Sequence, residues 1–117
     1  MKTVLKANEA SVEDFAWGRL YWFAGGKLGN SRTMTVGQCI IKPGFENPKH
    51  RHPNCEEVLH VLSGRIVHTV GTKSFEMEPG DTITIPPTIL HNARNAGTED
   101  AVLMISFSSP DRESQKE

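Results

Sequence analysis

The chain has 117 residues, the length of one domain, and its 13 lysines and arginines against 14 aspartates and glutamates give a formal net charge of -1. This balance, without a basic stripe, argues against nucleic acid and membrane surfaces as partners. Lys6 and Asn8 interrupt the start of the chain, where a secretion signal needs an unbroken apolar run. Two cysteines, Cys39 and Cys55, are too few for a disulfide framework. We therefore expect a cytoplasmic protein with reduced thiols.

In chain order, the predicted elements are almost all strands. Residues 8–15 offer a capping asparagine and one or two helical turns. Seven short segments rich in β-branched and aromatic side chains follow, separated by Gly and Pro turn signals: residues 19–24, 34–42, 57–62, 65–70, 73–77, 82–85 and 101–107. This pattern predicts a single all-β domain, a sandwich or barrel, over residues 1–108. Residues 109–117 are polar without periodicity, and we expect a disordered tail there.

Histidines and a glutamate interrupt the predicted strands at positions that suggest metal ligation. His50 and His52 are two residues apart, so in an extended segment both imidazoles point to one face. Taken alone, such a pair is more often a pair of exposed polar residues. Glu57, however, shares a strand face with Leu59, where a carboxylate is costly to bury unless a positive charge compensates it. His91, on a later returning segment, offers a third imidazole, although a lone histidine there is usually a core residue.

The spacing of these residues resembles two sequence motifs of the cupin family. The first motif is matched in full by Gly44, His50, His52, Glu57 and Gly64, with five, one, four and six residues between them. The second is resembled by Gly80, Pro86, His91 and Asn95, with five, four and three residues between them. One position departs from the family pattern, since Thr88 stands where a glycine is usual. The sequence is therefore similar to small single-domain cupins across residues 44–95.

The resemblance implies a fold and a metal site. The fold would be a double-stranded β-helix, or jelly-roll barrel, and the ligands of one divalent transition metal would be His50, His52, Glu57 and His91. Asn95 would tie down the strand that presents His91. Mixed nitrogen and oxygen ligation without thiolate suits Fe, Mn, Ni, Cu or Zn, and the sequence does not choose among them.

Three functions remain open at this point, because one fold hosts many functions. The leading interpretation is a metal-dependent enzyme of the oxygenase, isomerase or lyase type that acts on a small anionic oxygenated metabolite. The alternative is a non-catalytic small-molecule binding protein or sensor that uses the same metal site. In a third, weaker interpretation the metal is purely structural, which predicts no pocket above the ion.

Further residues are candidates for the pocket and for assembly. Gln38 could supply a polar group in an apolar pocket if its strand face points inward, and Arg94 could hold a substrate carboxylate at the pocket mouth. His60 and His68 are interpreted as strand-surface residues. The aromatic side chains of residues 17–23 either seal one end of the core or form the interface of a homodimer.

Overall fold

The computed structural model describes residues 2–117 as two antiparallel β-sheets. A single 3-10 turn, Ala7–Glu9, precedes the first strand. The strands are β1 Ser11–Phe15, β2 Gly18–Ala24, β3 Thr35–Ile41, β4 His50–Arg51, β5 Glu57–Ser63, β6 Ile66–Val70, β7 Lys73–Met77, β8 Thr82–Ile85, β9 His91–Asn95, β10 Ala101–Phe107 and β11 Gln115–Lys116. The prediction of an all-β domain is confirmed. No helix among the described residues is long and apolar enough to cross a membrane.

The two sheets face each other, and the chain alternates between them. The larger sheet has the order β1-β2-β3-β10-β5-β8, and the smaller has the order β11-β4-β9-β6-β7. From β4 onward the chain changes sheet at every connection except the β6–β7 hairpin. This is the jelly-roll arrangement, which gives each sheet one face toward a shared core.

The core lies between the sheets because the strands alternate in burial. Strands β3 and β10 both show strict alternation of buried and half-buried side chains. In the register of this pair, Cys39 lies opposite Leu103, and both side chains point inward. Next along the sheet, Leu59 lies opposite Ile105. Burial of these apolar side chains is the main stabilising contribution to the fold.

Two terminal segments differ from their sequence-based predictions. Of residues 8–15, only the first two belong to the 3-10 turn, and Ser11–Phe15 instead pairs with β2. Residues 109–117, predicted to be a disordered tail, contain β11, which pairs with β4. A two-residue strand such as Gln115–Lys116 has no local signal, because its hydrogen-bonding partner lies more than sixty positions away along the chain. The C-terminal segment is therefore ordered and lies beside His50 and Arg51.

Three positions of the two motifs, outside the ligand set, constrain the backbone. Gly64 has a φ of 80°, and a side chain there would lie 2.7 Å from the Asp100 carbonyl oxygen. Asn95 donates hydrogen bonds from Nδ2 to the carbonyls of Ile41 and Glu99, both at 2.8 Å. Thr88 has a φ of 72°, in the left-handed region that favours glycine. The departure from the family pattern therefore falls on a strained backbone position.

Candidate metal centre

Strand pairing brings His50, His52, Glu57 and His91 together between the sheets. His50 begins β4 and lies directly opposite His91, the first residue of β9, in the smaller sheet. Glu57 begins β5 in the larger sheet, and its side chain points inward with that of Leu59. His52 follows β4 and is also buried. Residues of both sheets thus converge on one point in the interior.

The potential ligand atoms are close enough to share one ion. One nitrogen or oxygen atom from each of the four side chains lies within 4.8 Å of the others. Glu57 Oε1 is 3.0 Å from His91 Nε2 and 3.2 Å from His52 Nε2. The His50 and His91 ring centres are 4.3 Å apart. Three imidazoles and a carboxylate in this arrangement form a mixed nitrogen and oxygen donor set.

The orientation of each imidazole is set by a backbone carbonyl. In every case Nδ1 donates to the carbonyl, at 2.7 to 2.9 Å: His50 to Pro48, His52 to Glu113 and His91 to Ile89. This hydrogen bond selects the tautomer in which Nε2 carries the lone pair, as in metal-binding histidines generally. The three Nε2 atoms are therefore the ones available to an ion.

The electrostatics of the cluster call for a cation. Burial, together with the neighbouring imidazoles of His91 and His52, lowers the pKa of His50 to about 4, so His50 is neutral near pH 7. Burial raises the pKa of Glu57, but the ring nitrogens of His52 and His91 outweigh this and lower it to about 2. Because Nδ1 of His52 and of His91 donates to a carbonyl, each Nε2 turns its lone pair toward the Glu57 carboxylate, and a cation between them would stabilise this arrangement. His52 Nε2 is buried without a hydrogen-bond partner. Its lone pair is therefore available to a metal ion.

A cavity of about 330 Å³ adjoins the cluster. All four candidate ligands contribute to its wall. The rest of the wall is mostly apolar and includes Trp17, Leu20, Trp22, Leu103, Ile105 and Phe107. An apolar pocket with a few convergent polar groups is typical of small-molecule sites.

Neither Gln38 nor Arg94 belongs to the residues that line this cavity. Gln38 lies on the outer face of β3, because the alternation of that strand turns Cys39 inward instead. Arg94 is exposed on β9, between the buried residues Ala93 and Asn95. The position of Arg94 beside the second motif in the sequence thus does not translate into a position at the pocket mouth.

Two cavity residues were missed by the sequence analysis. His68 was interpreted as a surface residue, but its exposed fraction is 1% and its ring stacks on that of His91 at 5.8 Å. The alternation of β6 contained the signal, since His68 shares a face with the buried Ile66. Arg112 lies in the segment predicted to be disordered, and it also lines the cavity. His60, by contrast, is on the outer face and hydrogen-bonds Thr82 at 2.7 Å.

Comparison with known families agrees with this fold. The profile of the cupin domain matches residues 37–107, which is more than half of the chain. The chain therefore belongs to the cupin family. The matched region contains all four candidate ligands.

Proteins of similar sequence carry different names. The chain is 35% identical over 64 residues to an uncharacterized protein of Methanocaldococcus jannaschii, covering 55% of this chain and 51% of the relative. It is 32% identical over 85 residues to germin-like protein 3-8 of Oryza sativa subsp. japonica, covering 68% and 38%. It is 30% identical over 73 residues to the polyketide synthase CurC of Streptomyces cyaneus, covering 62% and 47%. The chain thus spans about half, or less, of the length of these relatives.

Solved structures share the fold at low sequence identity. The oxalate decarboxylase of Lactobacillus farciminis, in complex with formate, has a TM-score of 0.87 and 23% identity, covering 93% of this chain and 34% of that one. An oxalate decarboxylase mutant of Bacillus subtilis has a TM-score of 0.85 over the same share of this chain and 30% of its own. At this identity the likeness extends to the fold alone.

Proposed function

We propose that His50, His52, Glu57 and His91 bind one divalent transition metal ion. The observation that carries this proposal is the orientation of the cluster: three imidazoles are tethered through Nδ1, so their lone pairs converge with a buried carboxylate within 4.8 Å. Such a set of acceptors needs a cation at its centre. The donor types suit Fe, Mn, Ni, Cu or Zn.

The leading proposal for the whole site is a metal-dependent enzyme that acts on a small anionic oxygenated metabolite. A bound ion of this kind supplies a Lewis acid with positions open to substrate oxygen. The side chains around it would orient the ligand and exclude water, since the aromatic side chains of Trp22 and Phe107 form part of the cavity wall. The reaction would be of the oxygenase, isomerase or lyase type.

The cavity separates this proposal from one of its rivals, the purely structural metal site. A purely structural ion would be enclosed by protein, whereas here about 330 Å³ of mostly apolar space adjoins the four candidate ligands. The same space is compatible with a non-catalytic small-molecule binding protein or sensor, which is the second candidate. The two differ in turnover, because a binding protein returns its ligand unchanged.

The test has two stages, both with the full chain. Metal analysis of protein purified without added metal, followed by titration with Mn(II), Fe(II) and Zn(II), measures occupancy. His50→Ala, His52→Ala and His91→Ala should each lower occupancy sharply and leave the far-UV spectrum of a β protein, whereas His60→Ala, on the outer face, should not change occupancy. Full occupancy in His91→Ala would contradict the site.

The second stage measures turnover. The metal-loaded protein is incubated with small hydroxy and keto acids while oxygen uptake and product formation are followed. Consumption of one acid, abolished in His91→Ala, supports the enzyme. Tight binding of one acid without any product supports the binding protein.

We also propose a cytoplasmic homodimer. Both cysteines are free and buried, a state that a reducing compartment preserves. The outer face of the larger sheet carries half-buried apolar side chains on adjacent strands, such as Ile40 opposite Val102, and such a face favours association with a second copy. Residues 17–23 were predicted either to seal one end of the core or to form the interface, and Trp22 in this segment lines the cavity and packs against the core.

Light scattering at micromolar concentration tests the dimer. Met104→Glu, on this outer face, should shift the mass from two chains to one, because a buried unpaired carboxylate is costly. Phe75→Glu is the control, since Phe75 is exposed on β7 of the smaller sheet, away from this face. A single-chain mass for the unmodified protein would remove the proposal.

A further inference from the structure

Arg112 presents an unpaired guanidinium to the cavity. Within residues 2–117 its side chain donates no hydrogen bond and forms no ion pair. Its guanidinium carbon lies 4.3 Å from the ring centre of Trp22 and 5.1 Å from that of Phe107. The guanidinium thus lies against two aromatic rings, and its N–H groups have no acceptor among the described residues.

The backbone around Arg112 is held in place from both sides. Asn54 donates from Nδ2 to the carbonyl of Asp111 at 2.9 Å and accepts at Oδ1 from the amide of Glu113 at 2.8 Å. The Glu113 carbonyl in turn accepts the Nδ1 hydrogen of His52 at 2.8 Å. Arg112 is therefore presented by the same short segment that orients a candidate metal ligand.

A single aromatic ring separates the guanidinium from the metal cluster. Phe107 packs edge-on against the His52 imidazole, with ring centres 4.9 Å apart, and Arg112 lies over the same phenyl ring. Both positions belong to one cavity wall. A small molecule in that cavity can therefore reach the candidate ligands at one end and the guanidinium at the other.

Arg112 forms no direct ion pair with either carboxylate of the cavity wall, Glu13 or Glu57. Burial lowers the pKa of Arg112, while Glu57 and Glu13 oppose this, and an arginine remains protonated in proteins. Glu57 belongs to the metal cluster, and Glu13 accepts a hydrogen bond from Trp22 Nε1 at 2.7 Å without forming an ion pair with Arg112. A half-buried guanidinium without a hydrogen-bonded anion favours an anionic ligand that supplies one.

We propose that Arg112 is the residue that binds the carboxylate of the ligand. This deepens the proposed function and rests on it for the other end of the molecule, where an oxygen donor would face the metal cluster. The ligand class is then a small organic acid with oxygen at both ends and a short apolar middle. A cavity of about 330 Å³ has room for roughly ten non-hydrogen atoms. Arg112, and not Arg94, is thus the residue that we propose for binding the carboxylate.

The test compares carboxylate binding with metal binding in the same protein. Mn(II) is titrated first; malonate, succinate and glutarate are then titrated into the loaded protein by calorimetry and by quenching of tryptophan fluorescence. Succinamide is the neutral analogue of the same size. We expect Arg112→Gln to weaken binding of the best dicarboxylate about tenfold or more, since it removes charge-assisted hydrogen bonds, and to leave the Mn(II) Kd within about threefold.

Two further variants are compared with Arg112→Gln. Arg94→Gln makes the same substitution at an exposed site outside the cavity and should bind dicarboxylates like the unmodified protein. Glu13→Gln keeps the acceptor for Trp22 but removes a negative charge near Arg112, so binding should tighten. This second effect tests the proposal even if Arg112→Gln does not fold.

The outcomes separate this proposal from the metal site. Unchanged dicarboxylate binding in Arg112→Gln, or no binding of any of the three acids to the loaded protein at about 10 mM, overturns the role of Arg112 while the metal site stands. Binding that depends on Arg112 in a protein that takes up no metal supports Arg112 and overturns the metal site. Succinamide binding as tight as succinate also overturns the proposal.

Discussion

His52 donates its Nδ1 hydrogen to the carbonyl oxygen of Glu113, 61 positions later in the chain, at 2.8 Å. A candidate metal ligand in the first motif is therefore oriented by the backbone of a segment that carries no motif. Because β11 also pairs with β4 beside His50, the same segment supports two of the three imidazoles. Residues 111–117 thus help to position the candidate metal ligands.

The first prediction concerns this segment. Removal of residues 111–117 should weaken Mn(II) or Zn(II) binding about tenfold or more, because the carbonyl that fixes the His52 tautomer is lost. Isothermal titration of the metal measures the change. Glu113→Ala is the matched control, since it keeps the backbone carbonyl and should leave the Kd unchanged. A truncated protein with the original affinity would show that His52 needs no such support.

The second prediction distinguishes the two adjacent glutamates. Glu57 is 5% exposed and contacts two imidazoles, whereas the side chain of Glu56 is exposed. Glu57→Gln removes the only anionic candidate ligand and should weaken metal binding about tenfold or more. Glu56→Gln should leave metal content nearly unchanged, with an effect on the free energy of unfolding within about 0.5 kcal/mol. The reverse order in a metal titration would contradict the register of β5.

The third prediction concerns the backbone at Thr88. Its φ of 72° is the only positive value among the described residues other than glycines. A β-branched residue there costs about 1 to 2 kcal/mol, partly offset by the greater freedom of glycine in the unfolded chain. Thr88→Gly should therefore raise the free energy of unfolding by up to about 1 kcal/mol in urea titrations.

A matched control for Thr88 lies in β8. Thr84 is exposed with an ordinary extended backbone, so Thr84→Gly should lower the free energy of unfolding by about 0.5 to 1 kcal/mol. Equal destabilisation by both substitutions would mean that the backbone at residue 88 holds no strain that glycine relieves.

The fourth prediction is a pH dependence that arises from Cys39. Burial raises the pKa of this thiol from 9.0 to about 12, so the folded state keeps its proton where the unfolded state has lost it. Stability linked to Cys39 is therefore complete below about pH 9 and falls as the pH rises toward 12. In urea titrations at pH 8, 9 and 10, the free energy of unfolding should fall more steeply for the unmodified protein than for Cys39→Ala. Parallel profiles would contradict the burial of this thiol.

Much of the candidate site could be predicted from the sequence, because its ligand pattern is local. His50 and His52 are two positions apart, and Glu57 opens an alternating strand, so the side-chain period of two places them without knowledge of the rest. The family pattern then adds His91. The structure brings these four together, and their role as metal ligands stays a prediction. The inward position of His68 could have been predicted from the same alternation, because His68 shares a strand face with Ile66. The sequence-based interpretation placed it on the surface instead.

By itself, then, the sequence determined the strand pattern, the all-β class and the common face of His50, His52 and Glu57, because each depends on spacings within a short segment. His91 was added by the resemblance to the second family motif. The tertiary structure alone decided which face of β3 lines the cavity, since alternation separates Gln38 from Cys39 without saying which of them points inward until β10 and the second sheet cover one side. It also decided the place of Arg112. A polar segment without periodicity is ordered here by Asn54 and by pairing with β4, and such long-range hydrogen bonds exist only once the barrel has brought distant parts of the chain together.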